Sequence, residues 1–240
     1  MRVEELIVFA DYDLIAINKP AGLLTIPDRE GKSISLKQLL QHQIGEVYTV
    51  HRLDRETSGI VVFARNAQAH KHVSMQFEHR ETSKIYLGLV TGSPEPKTGT
   101  INEPIAEHPV KKGVMTIYRK GKEAITDYEV LSNFRSYSWM QFRIHTGRTH
   151  QIRVHMNHFG HPIVCDALYG DGKPVFISQL KHKYNLAKTQ EEEKPILNRL
   201  ALHASQLTFR GVNAEQYNLE APLPKDMRAL LNQLNKWKKQ

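Results

Sequence analysis

Apolar residues along the chain fall into short runs with a β period, interrupted by a few stretches with a helical period. Leu6–Ala10 and Leu14–Asn18 are β-branched runs separated by Asp11-Tyr12-Asp13, which predicts a hairpin. Glu46–Val50 reads as a strand, and Gly59–Ala64 is continuously apolar, as in a strand buried on both faces. Asn66 then stands where a cap belongs, ahead of Ala69, Val73 and Phe77 at spacing four, which predicts a helix. Ile85–Val90, Ile125–Leu131 and Ser138–Ile144 follow as strands, the last two flanking Ser132–Tyr137. A second helix starts near Thr149: Ile152, His155, Met156 and Phe159 lie on one face and Gly160 supplies the stop. Met227, Leu230, Leu231, Leu234 and Trp237 make the clearest helical stripe, after Pro222 and Pro224. Runs of strands with inserted helices define an α+β chain with a large, mostly antiparallel or mixed sheet.

No repeat or low-complexity tract divides the 240 residues, so one domain over 1–240 is expected. Ser93–Gly99 and Gly170–Pro195, the latter with the charge run Glu191-Glu192-Glu193-Lys194, read as surface excursions. Lys and Arg number 33 against 25 Asp and Glu, a net +8 that suits a polyanionic partner, because neutralising phosphates releases counterions. The same charge also serves plain solubility. Candidate basic surfaces are Lys111-Lys112, Arg119-Lys120-Gly121-Lys122 and the tail Lys236-Trp237-Lys238-Lys239. A lone cysteine, Cys165, excludes an intramolecular disulfide and points to a reducing compartment, hence the cytoplasm. No apolar stretch reaches the roughly 18–20 residues of a membrane helix.

Chemistry concentrates in Val50–Gly59, where His51, Arg52, Asp54, Arg55, Glu56, Thr57 and Ser58 lie between two apolar strands. Such a run is either a solvated loop or a reactive one. Its apolar flanks anchor the backbone near the core, and a carboxylate among arginines stays ionised at neutral pH. An ionised, oriented Asp is a nucleophile or a general base.

His51-Arg52-Leu53-Asp54-Arg55-Glu56-Thr57-Ser58-Gly59 resembles the signature of the RluA-type pseudouridine synthases. Lys19-Pro20-Ala21-Gly22-Leu23, Lys84-Ile85-Tyr86 and Thr146-Gly147-Arg148-Thr149-His150-Gln151-Ile152-Arg153-Val154-His155 resemble further motifs of that family in the same order. Leu202-His203-Ala204 and Ala221-Pro222-Leu223-Pro224 resemble its C-terminal landmarks. The resemblance implies the pseudouridine synthase fold, a sheet flanked by helices around a central active-site cleft. It implies an isomerase that turns uridine in rRNA or tRNA into pseudouridine, with RNA as partner and with no cofactor and no metal.

The resemblance also implies roles. Asp54 is the nucleophile, Arg153 its charge partner, and Tyr86 the aromatic that stacks on the flipped uracil and stands where a proton moves. Arg52 fills the gap left in the RNA stack, and Leu202 walls the pocket. Beside these, Lys84 and Arg148 are candidate substrate contacts, and His51 is either structural or a contact to RNA. Asp54 either attacks the sugar or ring or assists a glycal route, and the residues do not choose between them. Base extrusion costs a few kcal/mol, and stacking on an aromatic face or a planar cation offsets it. A catalytically silent RNA-binding protein is the competing reading; an intact Asp54 and Arg153 argue against it. A hydrolase would want a second carboxylate flanking the bond, which only Glu56 offers.

Bland readings stand beside these. Tyr86 is otherwise a core aromatic, Arg153 a solvated helix residue about 100° round from Ile152, and Lys19-Pro20-Ala21-Gly22 a turn. Thirteen histidines raise a metal site, but His70 with His72, and His155, His158 and His161, lack a carboxylate or cysteine at ligand spacing. His145 and His150 are expected to bind phosphate or to position their loop. The chain departs from the family in three places. No S4-type module is expected, since the first strand begins near residue 6. Cys165 stands where relatives carry glycine, and Phe209–Glu215 lacks a His-Pro pair, which leaves the C-terminal hairpin open. A monomer is expected.

Overall fold

A computed structural model describes residues 1–28, 31–181 and 192–237. In chain order the elements are β1 (Ile7–Ala10), β2 (Leu14–Lys19), α1 (Leu36–Gln43), β3 (Tyr48–Thr49), β4 (Ser58–Ala64), α2 (Ala67–Glu78), β5 (Ser83–Thr91) and β6 (Thr98–Asn102). They continue with β7 (Ile105–Glu107), β8 (Met115–Ile117), β9 (Ile125–Asn133), β10 (Tyr137–Ile144), α3 (Gln151–His158), α4 (Ile177–Leu180), β11 (Leu202–Arg210), β12 (Gln216–Glu220) and α5 (Lys225–Trp237). Ten strands belong to one mixed sheet and β7 with β8 make a second, so the fold is α+β.

Two compact units divide the chain. The first comprises Met1–Leu87, Arg143–Thr149 and His203–Pro222, and the second Gly88–Phe142, His150–Leu202 and Leu223–Gln240. In the first unit β1, β2, β4 and β11 are neighbours, with β12 on β11 and β3 on β4. β4 runs antiparallel to β2, Leu14 opposite Ala64 through Lys19 opposite Gly59, and parallel to β11, with Ser58 opposite His203. All seven residues of β4 are buried, as its unbroken apolar run requires. Gly59 is where β4 meets β11 most closely: a Cβ there would lie 2.1 Å from the Ala204 carbonyl oxygen, and its φ is +122°. The core of this unit gathers Leu14, Ile15, Ile17, Leu36, Leu40, Phe63, Val73 and Phe209.

Helix α2 begins as expected: the Asn66 side chain accepts the Ala69 N–H at 2.9 Å. Helix α1 was not foreseen, although its signal is in the chain. Gln38 N–H donates to Ser35 Oγ at 3.3 Å and Ser35 N–H to Gln38 Oε1 at 2.9 Å, a capping box. Strand β3 retains only Tyr48 and Thr49 of the expected Glu46–Val50. The hairpin left open near the C-terminus exists: β11 and β12 pair from Gln206 with Glu220 to Arg210 with Gln216.

In the second unit β10 and β9 are neighbours and β9 pairs antiparallel with β6, while β7 and β8 form a hairpin of their own. Lys111 and Lys112 stand exposed in the turn between β7 and β8. Helix α3 follows the expected stripe, with His155 fully buried. The α5 stripe buries Met227, Leu230 and Leu234, and Trp237 is half-buried, with Lys236 5.4 Å from its ring. Lys238 and Lys239 lie outside the described residues, as do residues 182–191 of the stretch before Pro195, Glu191 of its charge run among them. Cys165 has φ +59°, the left-handed backbone for which glycine is the ordinary choice, and burial pushes its thiol up to about 11. No helix among the described residues is long and apolar enough to cross a membrane.

Candidate active site

Asp54 sits in the turn between β3 and β4, and a second loop holds the backbone on both sides of it. On one side Leu53 is buried: its N–H donates to Thr25 Oγ1 at 3.1 Å, and the same hydroxyl donates to the Leu53 carbonyl at 2.9 Å. On the other side the Arg55 carbonyl accepts the Gly22 N–H at 2.8 Å and Lys19 Nζ at 3.1 Å, and Arg55 Nε donates to the Gly22 carbonyl at 3.1 Å. Lys19 is fully buried, and its ammonium also donates to the carbonyls of Leu23 (2.8 Å) and Pro20 (3.1 Å). A buried ammonium is tolerable only when its donors are met, and backbone carbonyls meet them here. The stretch Lys19–Gly22, read from sequence as a turn, is a brace for the Asp54 loop.

The strand after the loop is anchored as well. Ser58 Oγ is 3.0 Å from His203 Nδ1, and His203 Nε2 is 3.1 Å from the Ala221 carbonyl. The carbonyl can only accept, so Nε2 carries the proton and Nδ1 accepts from the serine hydroxyl. His51 is fixed in its turn: Val62 N–H donates to its Nε2 at 3.0 Å and its ring stacks on Phe77 at 4.5 Å. Burial first, and then the charge of Lys84, lower the His51 pKa to about 3, so the ring is neutral. That makes His51 a structural support that also borders the cavity described next.

Strand β5 presents Lys84 and Tyr86 on one face by its two-residue period, with Ile85 buried on the other. Burial, followed by the negative charge of Asp54, holds the Tyr86 hydroxyl well above the ordinary tyrosine pKa, so the phenol keeps its proton. Lys84 lies 5.7 Å from the Phe77 ring centre, and burial with the charge of Arg80 draws its pKa down.

A cavity of about 410 Å³ opens beside these groups. Its walls carry Arg52, Arg80, Lys84, Arg148, His145 and Tyr86, with Glu78 the one acidic residue among them, and Phe77 and Ile144 supply apolar surface. A basic cavity with an aromatic face suits an anionic ligand that carries a ring.

The first unit thus gathers Asp54, Tyr86, Arg52, His51, Lys84 and Arg148, while Arg153 and Leu202 belong to the second. Arg153 is not the solvated helix residue that its position on α3 suggests. It is 4% exposed, its Nε and Nη2 donate to the two oxygens of Asp166 at 2.7 and 2.8 Å, and its guanidinium lies 5.0 Å from the Tyr169 ring. Asp166 Oδ1 also accepts the N–H groups of Leu168 and Tyr169. His150, another motif residue, has φ +56° and its Nδ1 is 2.8 Å from the Tyr169 hydroxyl, which also accepts the Met115 N–H. Leu202 is buried, and a Cβ on Gly88 would meet its Cδ1 at 3.3 Å.

Two of the histidines weighed as metal ligands hold hydrogen bonds within the fold. His155 Nδ1 and Nε2 contact Thr126 Oγ1 and the Glu103 carbonyl, each at 3.0 Å, and His161 Nδ1 lies 2.8 Å from the Thr91 carbonyl. No group of three or more metal-ligating side chains exists among the described residues. Sequence reasoning missed Lys19 as a buried brace and Arg80 as a cavity residue. Burial of a lysine has no local signature, whereas Arg80 was accessible from its place just past a helix end.

Comparison with known proteins agrees with this geometry. The RNA pseudouridylate synthase family profile matches residues 13–158. Ribosomal large subunit pseudouridine synthase D of Haemophilus ducreyi is 35% identical over 243 residues, covering 95% of this chain and 70% of its own length. The protein of that name from Escherichia coli K12 is 33% identical over 240 residues, covering 94% and 69%. Among solved structures, human RNA pseudouridylate synthase domain containing 4 has a TM-score of 0.72 at 27% identity and covers 97% of this chain and 94% of its own. The chain belongs to the RNA pseudouridylate synthase family. It is an RNA pseudouridine synthase of the RluA type, an isomerase that acts on RNA.

Proposed function

We propose that this enzyme isomerises uridine in large-subunit ribosomal RNA, with Asp54 as the group that attacks the flipped nucleotide or removes its C2′ proton. The observation that carries this reading is the bracing of Asp54. Its two neighbours are pinned through Thr25, Gly22 and Lys19, and its charge acts on the Tyr86 phenol. A carboxylate on so restricted a backbone is pre-organised for one line of approach, the condition that makes covalent or base catalysis efficient. The reaction breaks the N1–C1′ bond, rejoins the ring through C5 and returns a C5 proton to the medium or to N1. Tyr86, kept neutral by burial and by that charge, supplies a stacking face and a hydroxyl for that proton's path. Arg52 stacks in the vacancy left in the RNA, and Lys84 and Arg148 hold its phosphates. The roles that the family resemblance implies for Arg153, as charge partner of Asp54, and for Leu202, as pocket wall, belong to the same proposal. The choice of ribosomal RNA follows the names of the similar proteins.

The test is pseudouridine content, by nuclease digestion and chromatography, after incubating unmodified rRNA and tRNA transcripts with enzyme in EDTA. Pseudouridine in rRNA with wild type and none with Asp54→Asn is expected. Equal yields from the two proteins would remove Asp54 from the chemistry. Product in tRNA alone would move the substrate class.

A further inference from the structure

Helix α2 ends in an unusual way. His79 N–H donates to the Met75 carbonyl at 2.8 Å and Glu81 N–H reaches back to the Gln76 carbonyl at 2.9 Å, which closes the helix in the Schellman pattern. The residue that turns left-handed in this closure, at φ +64°, is Arg80. That position is ordinarily glycine, because a Cβ crowds the following carbonyl there. Arginine there carries backbone strain that glycine would avoid.

The side chain lines the same cavity as Lys84, Arg52 and Arg148. Left-handed backbone at a helix terminus redirects the side chain relative to the turn before it, and strain of this kind gathers at ligand clamps. Two cations that border one space raise each other's energy, which an anion relieves, and the charge of Arg80, after burial, draws down the Lys84 pKa. A guanidinium beside an ammonium suits a phosphodiester, to which arginine offers two parallel donors.

We infer that Arg80 is a phosphate-binding residue, which with Lys84 takes a backbone phosphate of the RNA strand whose uridine enters the cavity. This rests on the reading that the cavity receives RNA. Helix closure and RNA contact then make opposite demands on position 80: glycine serves the fold and arginine serves the ligand.

Arg80→Gly separates the two demands. Thermal unfolding without RNA is expected to occur at or above the wild-type temperature. Affinity for a short labelled uridine-containing oligoribonucleotide, measured by fluorescence anisotropy, is expected to fall about tenfold at low salt. The slope of log K against log salt should shrink by about 0.7, the contribution of one single-strand phosphate. In single-turnover assays on rRNA transcript the loss should fall on the RNA concentration needed for half-maximal rate more than on the plateau. Arg80→Lys, which keeps the charge, should retain the slope. Unchanged affinity and slope in Arg80→Gly would overturn the inference, and a lowered unfolding temperature would make the arginine a structural residue. If wild type forms no pseudouridine yet Arg80→Gly loses the slope, the activity reading fails and the phosphate contact stands. An active wild type beside a glycine variant that binds equally well gives the reverse.

Discussion

The ammonium of Lys19 lies 3.1 Å from the carbonyl oxygen of Arg55, the residue that follows Asp54. A residue at the end of β2 therefore helps set the backbone of the loop 36 positions later that carries the proposed nucleophile.

Lys19→Met keeps the volume of the stem and removes the donors, leaving the carbonyls of Pro20, Leu23 and Arg55 without this partner. Each buried acceptor left unsatisfied costs about 1–3 kcal/mol. A loss on the order of 2–3 kcal/mol in urea unfolding is expected, with the turnover rate falling more than substrate affinity, because the loop loosens while the basic cavity remains. Wild-type stability in this variant would show that the brace carries no energy.

Tyr86→Phe keeps the stacking face and removes the hydroxyl. RNA affinity should stay within a few-fold and the single-turnover rate should drop. Burial and Asp54 raise the pKa of this phenol, so it remains protonated in the folded enzyme across pH 6 to 9. No rise in rate from ionisation of Tyr86 is expected through that range, and equal loss of rate and affinity in the variant would reduce it to a packing residue.

His51 predicts an acid-sensitive fold. Its folded pKa, about 3, lies below the unfolded value of 6.5, so between those limits the unfolded chain binds more protons. Stability from this group is full above pH 6.5 and falls as the pH drops, by up to about 1.4 kcal/mol per unit. Burial of the ring and then the charge of Lys84 are the causes, and the Val62 N–H that donates to Nε2 loses its acceptor once the ring is protonated. His155, also lowered, acts in the same direction. Urea unfolding at pH 7, 6 and 5 should therefore show a steeper decline for wild type than for His51→Gln, and parallel declines would contradict the assignment.

Asp166→Asn tests Arg153. Removing one charge of a buried pair leaves the other uncompensated, at a cost of about 3–5 kcal/mol. Asparagine can keep one oxygen for the Leu168 and Tyr169 N–H groups, but its amide nitrogen then faces Arg153 Nε donor to donor. A large fall in unfolding temperature is expected. If Arg153 also serves Asp54, the rate measured well below that temperature should fall too; an unchanged rate would confine Arg153 to structure.

Gly59→Ala is expected to be the most damaging single methyl in the chain. The new carbon would lie 2.1 Å from a backbone oxygen on β11, so one of the two strands must move. Loss of soluble protein, or destabilisation beyond about 3 kcal/mol, should follow. A well-folded variant would mean that the β4–β11 pairing is looser than this register.

Local signals reached the structure wherever the cause was local. The unbroken apolar run of β4, the Asn66 cap and the α5 stripe each follow from neighbours within a few residues. Helix α1 shows a local signal left unread, since Ser35 and Gln38 spell a capping box. The Asp54 loop was legible as a motif but not as a braced one, because Lys19 and Thr25 reach it only through the fold. Arg153 was misplaced because helical periodicity assigns faces and cannot foresee Asp166, which arrives 13 residues later and draws the charge inward.

The parallel pairing of β4 with β11 joins Ser58 to His203 across 145 residues. During synthesis at about 5–20 residues per second, one edge of the most apolar strand waits on the order of ten seconds for its partner. An open strand edge is a template for pairing with other chains. The nascent polypeptide thus passes through an interval of aggregation risk that ends when β11 leaves the ribosome. Slow translation downstream of β4 would lengthen that interval, and chaperone dependence should concentrate there.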